Sequence, residues 1–151
     1  MGRSTAGLLM GAVLTQHPEL MKAVVAGVGI YDMLRVELSA NGAFNVTEFG
    51  TVQDEAQFHA LLGYSPYHNV RDGIRYPAVL FVTGENDPRV DPMQSRKMTA
   101  RLQAATASAA PILLRTSANS GHGADLSLDE RIDETVDTFA FLFQQLGIDA
   151  L

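Results

Sequence analysis

Apolar residues along this chain fall into two kinds of run. Short, nearly unbroken runs stand at 22–27 (KAVVAG), 76–83 (YPAVLFVT) and 111–116 (PILLRT). Runs of that length mark strands buried on both faces of a parallel sheet. Between them lie segments with helical character. Residues 5–16 are rich in Ala, Leu and Met, good helix formers, and Pro18 punctuates their end. Residues 54–62 predict a short helix closed by Gly63 and Pro66. Residues 91–105 predict another, with Asp91 as cap and Pro92 in the first turn, where a missing N–H costs nothing. Residues 128–146 predict a long amphipathic helix: Ile132, Val136, Phe139, Ala140 and Phe143 follow helical spacing, and Gly147 ends it. Residues 31–52 have no long period and contain Ser39-Ala40-Asn41-Gly42; they predict an excursion with at most short helical turns.

Helix and strand signals thus alternate, which predicts an α/β fold in three layers. A short parallel sheet of about three strands is flanked by helices, and its crossovers are right-handed. No repeat or low-complexity linker divides residues 1–151, so they form a single unit. The composition agrees: 46% hydrophobic and 19% charged residues suit a globular domain. A net charge of −6 argues against a nucleic-acid partner, whose phosphates call for clustered Lys and Arg. The absence of cysteine excludes disulfides, thiol catalysis and Cys-type zinc sites, but does not decide the compartment. No apolar run reaches the roughly 18–20 residues needed to cross a bilayer, so no membrane is expected as partner.

Three short stretches could carry chemistry. Gly2-Arg3-Ser4-Thr5-Ala6 resembles the G-x-S-x-G turn that exposes a serine between a strand and a helix, with Ala6 in place of the last glycine. Taken alone, a serine before an Ala-rich run is as readily a helix cap. Thr83-Gly84-Glu85-Asn86-Asp87-Pro88-Arg89-Val90 follows the clearest strand, at the end where open α/β sheets place ligands; it is also an ordinary Asn/Asp/Pro turn. Asn119-Ser120-Gly121-His122-Gly123 follows the last strand and sets a histidine between two glycines. An imidazole there suits proton transfer near neutral pH.

Together the three outweigh each alone. They come in the order Ser, Asp, His, each at the C-terminal end of a strand or where one should be, which predicts a Ser4–His122–Asp87 triad. Ser4 attacks a carbonyl carbon, His122 relays the proton and Asp87 holds the imidazole. The backbone N–H of Thr5 is one oxyanion donor. His17, His59 and His68 have no metal-ligand spacing and read as surface or loop residues; no metal and no cofactor is called for. The six scattered methionines read as core filler.

With these motifs in hand, nearly the whole chain resembles the C-terminal part of the catalytic domain of the prolyl oligopeptidases, the S9 serine peptidases. The likeness runs through GRSTAGLLMGAVLTQHPEL, VGIYDMLR, TEFG with YSPYHNV, YPAVLFVTGENDPRVDPMQSRKM and NSGHGA. Asp-x-Arg-Val is its most telling element. The resemblance implies a partial α/β-hydrolase fold and a short-peptide substrate. It implies that Ser4, Asp87 and His122 are catalytic and that Arg89 binds a peptide carbonyl, a task for a planar, permanently charged guanidinium. Ile30, Phe49 and Val90 match positions lining the proline pocket, although ordinary core packing would account for them equally. Two departures stand out. Thr5-Ala6-Gly7 replaces the usual Asn-Gly-Gly, and Asn45 falls where prolyl-specific relatives carry a tryptophan that stacks on the substrate proline. The second bears against strict proline specificity.

Family members also carry a β-propeller, further hydrolase strands and a tyrosine oxyanion donor, none of which is encoded here. Two expectations follow. The strand at 22–27 presents an open edge, so the chain self-associates as a homo-oligomer, by edge pairing or by exchange of its N-terminal segment. The isolated chain shows little or no peptidase activity, because its nucleophile lacks rigid support. An esterase on the same fold and an inactive, self-associating remnant are the competing readings.

Overall fold

A computed structural model describes residues 1–123 and 126–148. Four strands form one parallel sheet in the order β1-β2-β3-β4, with β1 Gly2–Arg3, β2 Ala23–Gly27, β3 Ala78–Gly84 and β4 Ile112–Ser117. Five α-helices accompany them: α1 Thr5–Gln16, α2 Gly42–Phe49, α3 Glu55–Tyr64, α4 Met93–Ala105 and α5 Leu128–Leu146. No described helix is long and apolar enough to cross a membrane.

The alternation of side chains along the strands builds two cores. Val24 and Ala26 of β2 and Val79 and Phe81 of β3 face α1 and α4, where they meet Leu14, Met98 and Leu102. Val25, Ala78, Leu80 and Val82 face the other way, onto Phe141 of α5. The result is the three-layer arrangement that the sequence predicts. A third cluster, Leu8, Ile30, Met33, Val36, Leu61 and Val90, caps the C-terminal ends of the strands. It forms the floor on which the site is built.

Several expectations need correction. The sheet has four strands instead of about three, because Gly2 and Arg3 pair in parallel with Ala26 and Gly27. Residues 42–49 form a full α-helix inside the expected excursion. Its entry is tight: a Cβ on Gly42 would stand 1.9 Å from the Glu37 carbonyl oxygen. Helix α3 continues through Gly63 to Tyr64. The spaced apolar residues of α5 do not face the core: Ile132, Val136, Phe139 and Phe143 are 40–58% exposed, while Thr138 and Phe141 are buried. Met33 and Met98 are core residues, but Met1 and Met93 are exposed.

Candidate active site

The first half of the site is the junction of β1 and α1. Ser4 sits there with φ 55° and ψ −123°, a region that non-glycine residues rarely occupy. Its N–H donates to the Gly27 carbonyl (2.9 Å) and its carbonyl accepts from Leu8 N–H (3.1 Å), so the strained turn is tied at both ends. Small residues make the turn possible. A Cβ on Gly7 would lie 2.7 Å from the Gly27 carbonyl oxygen and 3.0 Å from Gly29 Cα, so α1 approaches the end of β2 as only glycine permits. Thr5 opens α1, and its N–H, like those of any first helical turn, has no partner within the helix.

The second half comes from the loops after β3 and β4. Asp87 is buried, and both its oxygens are used. Oδ1 accepts the N–H groups of Arg89 (2.8 Å) and Val90 (2.9 Å). Oδ2 lies 2.7 Å from His122 Nδ1. On the far side of the ring, His122 Nε2 lies 3.0 Å from Ser4 Oγ. The two loops are laced together by Asn86, whose N–H donates to the Ser120 carbonyl (3.1 Å) and whose Nδ2 donates to the Ala118 carbonyl (2.9 Å). The lacing needs Gly84, where a Cβ would stand 2.3 Å from the carbonyl oxygens of Ser120 and Gly121.

Ser4, Thr5 and His122 open on a small cleft of about 60 Å³. Ile30, Asn45, Phe49, Arg89 and Val90 line the same cleft, so the sequence-predicted site residues, with Asp87 behind His122, all converge. Phe44 and Glu48 of α2 complete the wall. The Arg89 side chain is exposed and makes no hydrogen bond or ion pair among the described residues. Ile30 and Val90 serve the core and the cleft at once.

A family model described as the prolyl oligopeptidase family matches residues 1–149. The chain belongs to the prolyl oligopeptidase family. It is 41% identical over 148 residues to the prolyl endopeptidase of Elizabethkingia miricola, covering 97% of this chain and 21% of that protein. A solved structure from a structural and mechanistic analysis of two prolyl endopeptidases superposes with a TM-score of 0.95 at 44% identity, covering 98% of this chain and 22% of the other. Oligopeptidase B from Leishmania major superposes at 0.92 with 31% identity, covering 97% and 21%. The chain therefore spans about a fifth of the length of the curated relatives it matches.

A polar cluster that the sequence did not reveal braces the cleft. Asp32, fully buried, contacts Lys97 and accepts from Arg35 Nη1 at 3.0 Å. His68 Nδ1 lies 3.8 Å from its other oxygen and 2.9 Å from Ser65 Oγ. Gln94 Oε1 accepts the N–H groups of both Tyr31 and Asp32, fixing the loop that carries Ile30. Burial raises the Asp32 pKa, but the hydrogen bonds from Lys97 and Arg35 outweigh it and hold the carboxyl below its ordinary value. Burial holds His68 below the usual imidazole value, against the pull of Asp32. His68 is thus a half-buried member of this cluster and no surface residue, unlike the exposed His17 and His59. The polar letters of YSPYHNV and VGIYDMLR were the available signal.

A larger cavity, about 390 Å³, lies between β1–β3 and α5 and shares His122 with the cleft. Met1, Arg3, Val25 and Phe139 line it, and Ser4 does not.

Proposed function

We propose that this chain carries the catalytic triad of a serine peptidase that hydrolyses short peptides through an acyl-enzyme. One observation carries the reading: His122 lies within hydrogen-bond reach of Ser4 on one ring nitrogen and of Asp87 on the other. Ser4 Oγ attacks the peptide carbonyl carbon while His122 Nε2 takes its proton. The oxyanion receives the Thr5 N–H. Collapse breaks the C–N bond, and His122 delivers its proton to the leaving amine. A water, deprotonated by His122, then attacks the acyl carbon, and His122 returns that proton to Ser4 Oγ as the ester C–O bond breaks. Asp87 keeps the imidazole proton on Nδ1 and stabilises the imidazolium. Arg89 donates to a substrate carbonyl, and Ile30, Phe49 and Val90, with Asn45, form the acyl-side pocket. The unpaired guanidinium of Arg89 favours a peptide over a simple ester, which lacks the carbonyl it would meet.

Fluorophosphonate labelling followed by peptide mapping tests this reading. A single adduct on Ser4 is expected, absent in Ser4→Ala and strongly slowed in His122→Ala. No adduct, or one that persists in Ser4→Ala, would sink it. Peptide turnover by these 151 residues alone is expected to be low. Two register pairs hold β1, while a nucleophile needs placement within about 0.5 Å. Self-association belongs to the same proposal, because residues 23–25 of β2 have no partner strand on the β1 side.

A further inference from the structure

We infer that Asn45 makes the acyl-side pocket select a small, uncharged residue whose side chain carries a hydrogen-bond acceptor, such as threonine. The inference rests on the catalytic reading for the position of the scissile carbonyl. Three buried side-chain polar atoms lack a hydrogen-bond partner among the described residues: Tyr31 Oη, Asp32 Oδ1 and Asn45 Nδ2. Tyr31 belongs to the core between β3 and the helices, and Asp32 to the charged cluster beside Lys97, Arg35 and His68. Asn45 is the one of the three in the wall of the cleft that holds Ser4 and His122.

Asn45 is 5% exposed, and its neighbours in that wall include Ile30, Phe49 and Val90. Buried amide groups nearly always have partners, because one taken from water without compensation costs free energy. An apolar side chain in the same place would carry no such cost. The Asn45 amide nitrogen is therefore unpaired among the described residues, and a ligand in the cleft can pair it. Its terminal torsion is soft, so a half-turn carries Nδ2 across to the place of Oδ1 and presents two N–H donors.

The cleft also limits the partner. Ser4 attacks the carbonyl carbon, so the side chain of the residue that supplies this carbonyl enters the space between Ser4 and α2. The cleft is small, about 60 Å³, which favours a small side chain. Glu48 stands on the same wall and repels a carboxylate. A hydroxyl is the smallest uncharged side-chain acceptor and meets both limits. A site that hydrogen-bonds a substrate group discriminates against the isostere lacking it, since the site's own polar group is then stranded.

The test uses the ¹⁵N-labelled chain and two isosteric peptides, N-acetyl-glycyl-threonine amide and N-acetyl-glycyl-valine amide, titrated by NMR. The threonine peptide should bind about tenfold more tightly and shift the Asn45 side-chain amide resonances. In Asn45→Leu the two peptides should come within about twofold of each other. Equal or weaker binding of the threonine peptide, no binding of either, or a preference that survives in Asn45→Leu overturns the inference. Should that variant fail to fold, the wild-type pair still decides. Ser4 labelling is read separately. Labelling without a threonine preference defeats this inference alone, and a threonine preference without labelling defeats the catalytic reading alone.

Discussion

At the C-terminal ends of the strands, the loops that carry Asp87 and His122 are tied by paired polar groups. Asp87 uses both oxygens, Asn86 bridges two loops, and Gln94 fixes two backbone N–H groups at once. Around α5 the reverse holds. Leu128, Ile132, Val136, Phe139 and Phe143 stand 40–70% exposed, and the cavity of about 390 Å³ lies beside them. Polar side chains do the fastening there: Arg3 pairs with Glu134, and Arg115 reaches Asp137 at 2.7 Å. The first region is organised by contacts within this chain. The second carries apolar surface that this chain leaves uncovered, of the kind that marks an interaction face.

The contrast is tested most severely at Asp87. Asp87→Asn keeps the acceptor for the Arg89 and Val90 N–H groups, so the loop should stay in place. Its amide nitrogen would then donate to His122 Nδ1, leaving the proton on Nε2, which faces Ser4. A ring so protonated cannot take the serine proton. Labelling of Ser4 is expected to fall by about 10⁴-fold with little change in the unfolding midpoint. Equal labelling rates would show that His122 is not oriented by Asp87.

Gly84→Ala strikes the same region through packing. The added methyl would meet two backbone carbonyls at 2.3 Å, and neither can move without shifting the His122 loop. A loss of about 2–3 kcal/mol in urea unfolding is expected, together with slowed labelling. A neutral result in both would mean that the two loops are not rigidly laced.

Both effects turn on features of unequal visibility in the sequence. The three long strands stood out because parallel strands are apolar on both faces and so read as unbroken runs. The order of Ser4, Asp87 and His122 was legible because Asp87 and His122 each follow strand signal and Ser4 stands in a G-x-S-x-A turn before a helix-forming run. Strand β1 was not, since two residues carry no periodicity. Helix α2 is eight residues long, and its Gly, Asn, Val and Thr are weak helix formers, so it leaves little local signal. The α5 stripe was legible as a helix, but periodicity tells which residues share a face and not what covers it. The Ser127–Glu130 capping box that starts α5 was readable from its spacing and went unused. His68 looked like a loop histidine because its partner Asp32 is distant in sequence and its burial is a tertiary fact.

The Asp32 cluster predicts how the well-tied region fails in acid. His68 is held below its unfolded value near 6.5, so the unfolded chain binds more protons once pH falls past that point. Its contribution is present above about pH 6.5 and is lost as pH drops through the folded value. Asp32 is also held below its ordinary value, so its contribution is present above about pH 4 and is lost lower down. The melting temperature should therefore decline in two stages on acidification. His68→Asn should remove the upper stage and leave the lower. A single decline, unchanged in that variant, would take His68 out of the account.

The smallest effect on stability belongs to the uncovered face. Ile132→Gln with Val136→Gln removes apolar surface from α5 while keeping good helix formers, and both side chains are at least half exposed. Unfolding free energy should change by no more than about 0.5 kcal/mol, as for substitutions away from packed or paired groups. Self-association, read by light scattering, should weaken if the stripe is part of the contact between copies. If association is unchanged, pairing at the open edge of β2 is left to account for it, and a strictly monomeric wild type would dismiss both. A large loss of stability in the double variant would instead mean that this chain buries the stripe itself, and the contrast between the two regions would collapse.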